Sequence, residues 1–189
     1  MFFLCLLPVT LLVFKVLGDE LGPDPAKEIT LELGINTLRM LLLTLSLTPI
    51  RELSGYSGVI RFRRMTGLFV LFYAALHLVA YLWFLLGWEW AELGEDIVKR
   101  PYITVGFLAF LLLIPLGLTS TRNMMRRLGK NWKKLHRLIY LTAILGCLHF
   151  IWLSRANLDE AYTYTFIMFI LLGFRVTRKI QLHYLKAAK

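Results

Sequence analysis

The sequence predicts an all-α integral membrane protein, a six-helix bundle with both termini in the cytoplasm. Three observations carry this expectation. Hydrophobic residues make up 58% of the 189 residues and charged residues only 18%, with a mean hydropathy of +0.63; soluble domains average about 45–50% apolar and about 25% charged. The apolar residues come in runs of about twenty, the length that crosses a bilayer, and short charged loops separate them. Basic residues concentrate in alternate loops. Together these exclude a soluble globular domain, a disordered chain and a disulfide-stapled secreted module.

The apolar runs place helices at about 1–17, 30–50, 65–86, 101–118, 135–153 and 161–176. The first run is short. It lacks the basic opening region and small-residue cleavage site of a signal peptide, so it reads as a helix of the bundle. The second, third and fifth each carry a residue that apolar packing does not account for: Arg39, His77 and His149. The fourth is apolar throughout, and the sixth is shorter and more mixed. No Gly/Ser linker or internal repeat divides the chain, so 1–189 reads as one domain. Cys5 and Cys147 both fall inside apolar runs and read as packing residues.

Sidedness follows from the loops. Arg51, Arg61, Arg63 and Arg64 lie in one loop, seven basic residues in 119–137, and five in the tail from Arg175, which accounts for sixteen of the 22 Lys and Arg. The alternate loops hold Lys27, Lys99, Arg100 and Arg155, while eleven of the twelve acidic residues, all but Glu52, lie on that side. Trp88, Trp90, Trp152, Tyr162 and Tyr164 cluster there as an interfacial aromatic belt. The positive-inside bias places the basic loops in the cytoplasm. The net charge of +10 therefore reflects topology and a lipid surface, with no nucleic-acid partner. The segment "TRNMMRRLGKNWKKLHR" suits anionic lipid or a cofactor phosphate. It lacks a Gly-rich dinucleotide fingerprint, so no NAD(P)H domain is expected.

Ligand-capable side chains inside a bilayer are expensive and read first as functional. His77 lies twelve residues past Met65 and His149 fourteen past Leu135, about 18 Å and about 21 Å into two helices of the same direction. Two imidazoles at matched depth suit the two axial positions of a haem b iron in a helical bundle, a site for electron transfer. Ala74, Ala75, Ala80 and Gly146 beside them leave room for a flat macrocycle, or for ordinary helix packing. The alternative for each histidine is a hydrogen bond to a neighbouring helix. His136 begins the fifth helix thirteen residues before His149, which on a straight helix turns it about 140° away and about 20 Å down. Its partner position on the third helix is Arg63, so a second bis-histidine haem is not spelled out. His136 is a candidate for a second haem with an unusual partner, for flavin or quinone contact, or for lipid headgroups. Arg39 lies nine residues past Thr30, about 13 Å deep, where it either meets a haem propionate or snorkels to the surface. His183, in the basic tail, reads as solvated.

The stretches "LGPDPAKEIT", "LTLSLTPIR", "RFRRMTGLFVLFYAALHLVAYLWF", "NWKKLHRLIYL" and "HFIWL" arrive in order between Leu21 and Leu153. They closely resemble the MsrQ (YedZ) family of haem-binding membrane subunits of bacterial methionine sulfoxide reductase systems. That family lies within the ferric-reductase-like transmembrane group, alongside NADPH oxidases and STEAP proteins. The resemblance implies a conduit in the bacterial inner membrane, drawing electrons from a quinone or a cytoplasmic flavin reductase. It implies delivery to a periplasmic molybdopterin enzyme that reduces methionine sulfoxide in proteins. It implies haem b, one or two copies, and FMN, with His77 and His149 as axial ligands and His136 as the additional histidine. The chain would be an electron carrier rather than the site of sulfoxide reduction. Two alternatives compete: a ferric-chelate or quinol reductase of the same fold, and a haem-free transporter or assembly protein. Against the last, none of the twelve acidic residues lies at mid-bilayer to couple protons.

Overall fold

Side-chain caps mark the starts of two helices, at Asp24 and Thr121. The computed structural model describes residues 1–154 and 158–187. Arg155 and Lys189, counted above, and the side chains of His183 and Lys186 lie outside the described residues. Helix α1 spans Phe2–Leu17. Helix α2, Pro25–Ser54, starts before the apolar run because Asp24 caps it, its carboxylate accepting from Lys27 N at 3.1 Å, and Pro25 suits the first turn. It ends at Gly55, whose φ of 71° is the left-handed conformation that closes a helix. Helix α3, Arg63–Ala80, follows a 3₁₀ segment at Ser57–Phe62 and widens into a π turn at Tyr81–Leu85.

The outer loop expected after α3 contains a helix, α4, at Trp90–Lys99. Its polar residues hide it from a hydropathy scan, yet Trp90, Leu93 and Ile97 recur at helical spacing. Helix α5 is Pro101–Leu118. The basic loop expected at 119–137 folds into α6, Arg122–Leu128, and α7, Lys130–Leu135, parted by Gly129 at a φ of 50°. Helix α8 is Leu138–Leu153, and α9 runs from Leu158 to Ala187, eleven residues past the expected end. The protein is all-α, with no strand among the described residues.

Four helical stretches are long and apolar enough to cross a membrane: Pro25–Ser54, Ser57–Leu85, Pro101–Leu118 and Lys130–Leu153. Helix α1 is apolar but shorter, and α9 begins acidic and ends basic. Phe3, Phe166, Phe169 and Ile170 are exposed, so the outer surface is apolar, as lipid contact requires.

Helices α2, α3, α5 and α8 form a closed ring in that order, with α2 also touching α8. Helix α1 lies on α2 and α3, and α9 on α2 and α8. Leu41, Leu45, Val70, Tyr73, Ala143 and Cys147 fill the interior. Both cysteines are free and buried, as packing residues are. Two buried hydroxyls are satisfied within their own helix, Thr44 donating to Met40 O at 2.8 Å and Thr142 to Leu138 O at 3.1 Å, whereas Thr48 Oγ1 is buried without a partner among the described residues. Tyr73 is inserted into the α1 ladder, donating to Cys5 O at 2.7 Å and accepting from Val9 N–H at 3.3 Å. At the basic end of the bundle Arg178 on α9 pairs with Glu52 on α2 at 3.0 Å.

Candidate functional site

One end of the ring encloses a cavity of about 340 Å³, lined by α2, α3, α5 and α8 and fringed by α4. Its walls are apolar apart from a few groups, and His77 and His149 face it from opposite sides. Their ring centroids lie 6.2 Å apart with the planes at 74°.

Each ring is fixed by a backbone carbonyl on the helix beside it. His77 Nδ1 lies 2.8 Å from Thr30 O, and His149 Nδ1 lies 2.7 Å from Tyr102 O. A carbonyl only accepts, so each Nδ1 carries the proton and donates it, and each Nε2 keeps its lone pair. Metal-bound imidazoles hold their second nitrogen this way, which fixes tautomer and ring orientation.

The pair fits a metal held between them. Two metal–imidazole bonds of about 2.0–2.1 Å each, plus the ring radii, give a centroid separation of about 6 Å, matching the 6.2 Å found. Among the described residues no group of three or more His, Cys, Asp or Glu is placed to hold a bare ion. Haem iron brings its own equatorial donors and asks the protein for no more than the two imidazoles found here. The walls suit such a group: a Cβ added at Gly146 would meet nothing within 4 Å, and Ala74 lines the opposite wall.

At the mouth stand Asp24, Lys27, Tyr81 and Arg100. Tyr81 donates to Asp96 at 2.5 Å, and Arg100 pairs with the same carboxylate at 3.1 Å, so α4 is tied across the opening.

The other two candidates lie elsewhere. Arg39, expected to reach a propionate, does not line the cavity. It donates to Tyr164 Oη at 2.8 Å and Asn36 Oδ1 at 3.1 Å, with Glu160 at 3.7 Å, and so joins α2 to α9. Snorkelling toward α9 satisfies the guanidinium without a cofactor. His136 sits in the turn between α7 and α8, so the straight-helix offset from His149 does not apply. Its ring stacks on Trp132 at 3.9 Å and its Nδ1 lies 3.2 Å from Trp132 O. Its Nε2 is buried without a partner among the described residues. Sequence reasoning missed Thr30, Tyr102, Lys27 and Arg100. The carbonyls carry no side-chain signal, and the two cations were visible only as loop charges.

Two histidines of membrane-length helices lining one apolar cavity suit a membrane domain that holds a cofactor between them. Residues 33–147 match the family described as "Ferric reductase like transmembrane component". A Xanthomonas campestris protein named "Protein-methionine-sulfoxide reductase heme-binding subunit MsrQ" is 52% identical over 86% of this chain and 75% of its own length. Proteins of the same name from Xanthomonas oryzae and Polaromonas naphthalenivorans are 48% and 44% identical, over 91% and 93% of this chain and 79% and 81% of theirs. The chain belongs to the MsrQ family of the ferric-reductase-like membrane proteins. No solved structure matches it.

Proposed function

We propose that this protein is the b-type haem electron-transfer subunit of a protein-methionine-sulfoxide repair system; its relatives are named heme-binding subunits of a protein-methionine-sulfoxide reductase. The observation that carries the reading is the pair His77 and His149, with both Nδ1 protons committed to carbonyls and both Nε2 lone pairs facing one apolar cavity. His77 and His149 would hold a haem there, which would supply reversible one-electron chemistry and, bound by both imidazoles, would favour electron transfer over ligand binding. The protein's own part is threefold. The two imidazoles fix the iron's position, the apolar walls exclude water, and Lys27 and Arg100 present cations at the mouth where haem carboxylates would be held.

The reading has six crossings, α1, α2, α3, α5, α8 and α9, with the basic loops and both termini cytoplasmic. It places the chain in the bacterial inner membrane. Electrons then enter from a quinone or a cytoplasmic flavin reductase and leave toward a periplasmic molybdopterin reductase. His136, near the basic end, is the position for a second haem on the entry side. FMN rests on the family resemblance alone.

The test is a reduced-minus-oxidised spectrum of the purified full chain. A b-type α-band is expected in wild type, and the His77→Ala/His149→Ala double variant loses the share of it that comes from the haem between those two residues. A wild-type protein without the band would overturn the haem reading. A band of full intensity in the double variant would overturn the ligand assignment. Delivery to the partner is tested by reconstituting the reduced protein with the molybdoenzyme and protein-bound methionine sulfoxide.

A further inference from the structure

The two halves of the cavity are built alike. Helix α2 meets α3 as α5 meets α8, and rotation by half the ring exchanges the two hairpins. The exchange holds residue by residue: every lining residue from Thr30 to Tyr81 has a counterpart 72 positions later that also lines the cavity. Sequence inspection predicts no repeat because few pairs are identical. Leu41/Leu113 and Leu76/Leu148 are, and so are the two pairs that matter most here, Gly34/Gly106 and His77/His149.

Those two pairs touch. Each glycine lies 43 residues before its histidine and one turn past the carbonyl that takes the Nδ1 proton. A Cβ at Gly34 would stand 3.1 Å from both Cε1 and Nδ1 of His77. A Cβ at Gly106 would stand 2.7 Å from Nδ1 and 2.9 Å from Cε1 of His149. The Gly106 contacts are too short to persist, so the ring or the helix must shift, and at Gly34 the ring must give by a few tenths of an ångström. Elsewhere in the ring glycines meet other things: at Gly117 the added atom would run into the Leu71 side chain, and at Gly67 it would meet Thr44 at 3.8 Å.

We propose that Gly34 and Gly106 are positioning residues for the histidine pair, acting with the Thr30 and Tyr102 carbonyls. The bare backbone lets each imidazole lie against the neighbouring helix at the one place where its Nδ1–H reaches a carbonyl. That contact sets the plane of each ring and the direction of each Nε2. A side chain at either position lifts the ring off its seat, and the metal–nitrogen bond is then made at a poorer angle or lost. The proposal rests on the haem reading and adds what holds the ligands.

The experiment compares Gly34→Ala, Gly106→Ala and Gly117→Ala in the purified full chain. It measures haem per polypeptide, midpoint potential, the low-spin EPR signal and thermal unfolding. Gly106→Ala is expected to lose several-fold in bound haem and to shift both EPR signal and potential, with Gly34→Ala moving the same way by less. Gly117→Ala, a packing change, lowers thermal stability and leaves the EPR signal and potential as in wild type. If Gly106→Ala does not fold, Gly34→Ala carries the test alone. Wild-type EPR and potential in both histidine-seat variants would overturn the proposal while the haem reading stands. An absent wild-type α-band would instead overturn the haem reading on which the proposal rests.

Discussion

Tyr73 offers the sharpest test of how the bundle is held together. It is 0% exposed, and its hydroxyl bridges Cys5 O and Val9 N–H, the acceptor and donor of one α1 rung. Pro8 sits inside that turn and contributes no N–H of its own. In Tyr73→Phe both bonds go, in a region without water to replace them. Hydrogen bonds between membrane helices average about 0.6 kcal/mol and reach about 1.7 kcal/mol. Two of them, less what α1 regains by closing its own rung, give a loss of about 1–2 kcal/mol. For a chain of this size that is a fall of about 2–8 °C in Tm. The assay is thermal unfolding in detergent, with the haem spectrum recorded in parallel. The spectrum is expected to stay as in wild type, because Tyr73 does not line the cavity. An unchanged Tm would refute the argument that a hydroxyl serving an interrupted helix rung couples α1 to the ring.

Three further outcomes follow from the same geometry. Gly146→Leu, which projects into open cavity, should leave the protein folded and strip most of the haem, read as α-band per polypeptide. Arg39→Leu should retain haem and its midpoint potential, since Arg39 serves Tyr164, Asn36 and Glu160; the ion pair is half exposed, so the stability loss is about 1 kcal/mol or less. A shifted potential there would return Arg39 to the cofactor. His136→Leu should preserve the α-band and EPR signal of the haem between His77 and His149, because His136 lies outside that cavity, and loss of that band would show that the two positions share one site.

The sequence made the histidine pair legible because an imidazole inside a bilayer has few ordinary explanations, and because depth can be counted along a helix. The four spans were legible for the same reason: hydropathy reports lipid contact directly. What holds the histidines was not. Thr30 and Tyr102 act through backbone carbonyls that any residue would carry, each 47 positions from its partner. Arg39 shows the opposite limit. Its depth flagged it, but its partners Tyr164 and Glu160 lie on α9, more than a hundred residues away, and no local pattern selects them over a propionate. Helices α4, α6 and α7 escaped because their signals are caps and sparse apolar spacing, which a span-length window averages away.

The matched hairpins bear on something no single contact decides. A flat guest turned over about the axis of the ring meets lining residues laid out at the same positions, because each wall repeats the register of the other. What distinguishes its two faces is the pairs whose side chains differ, nine of the twelve, among them Tyr81 against Leu153, Val70 against Thr142, and Ile35 against Phe107. Where the paired residues match, the cavity does not tell one face of a flat guest from the other, and the choice between two opposite insertions falls to the pairs that differ.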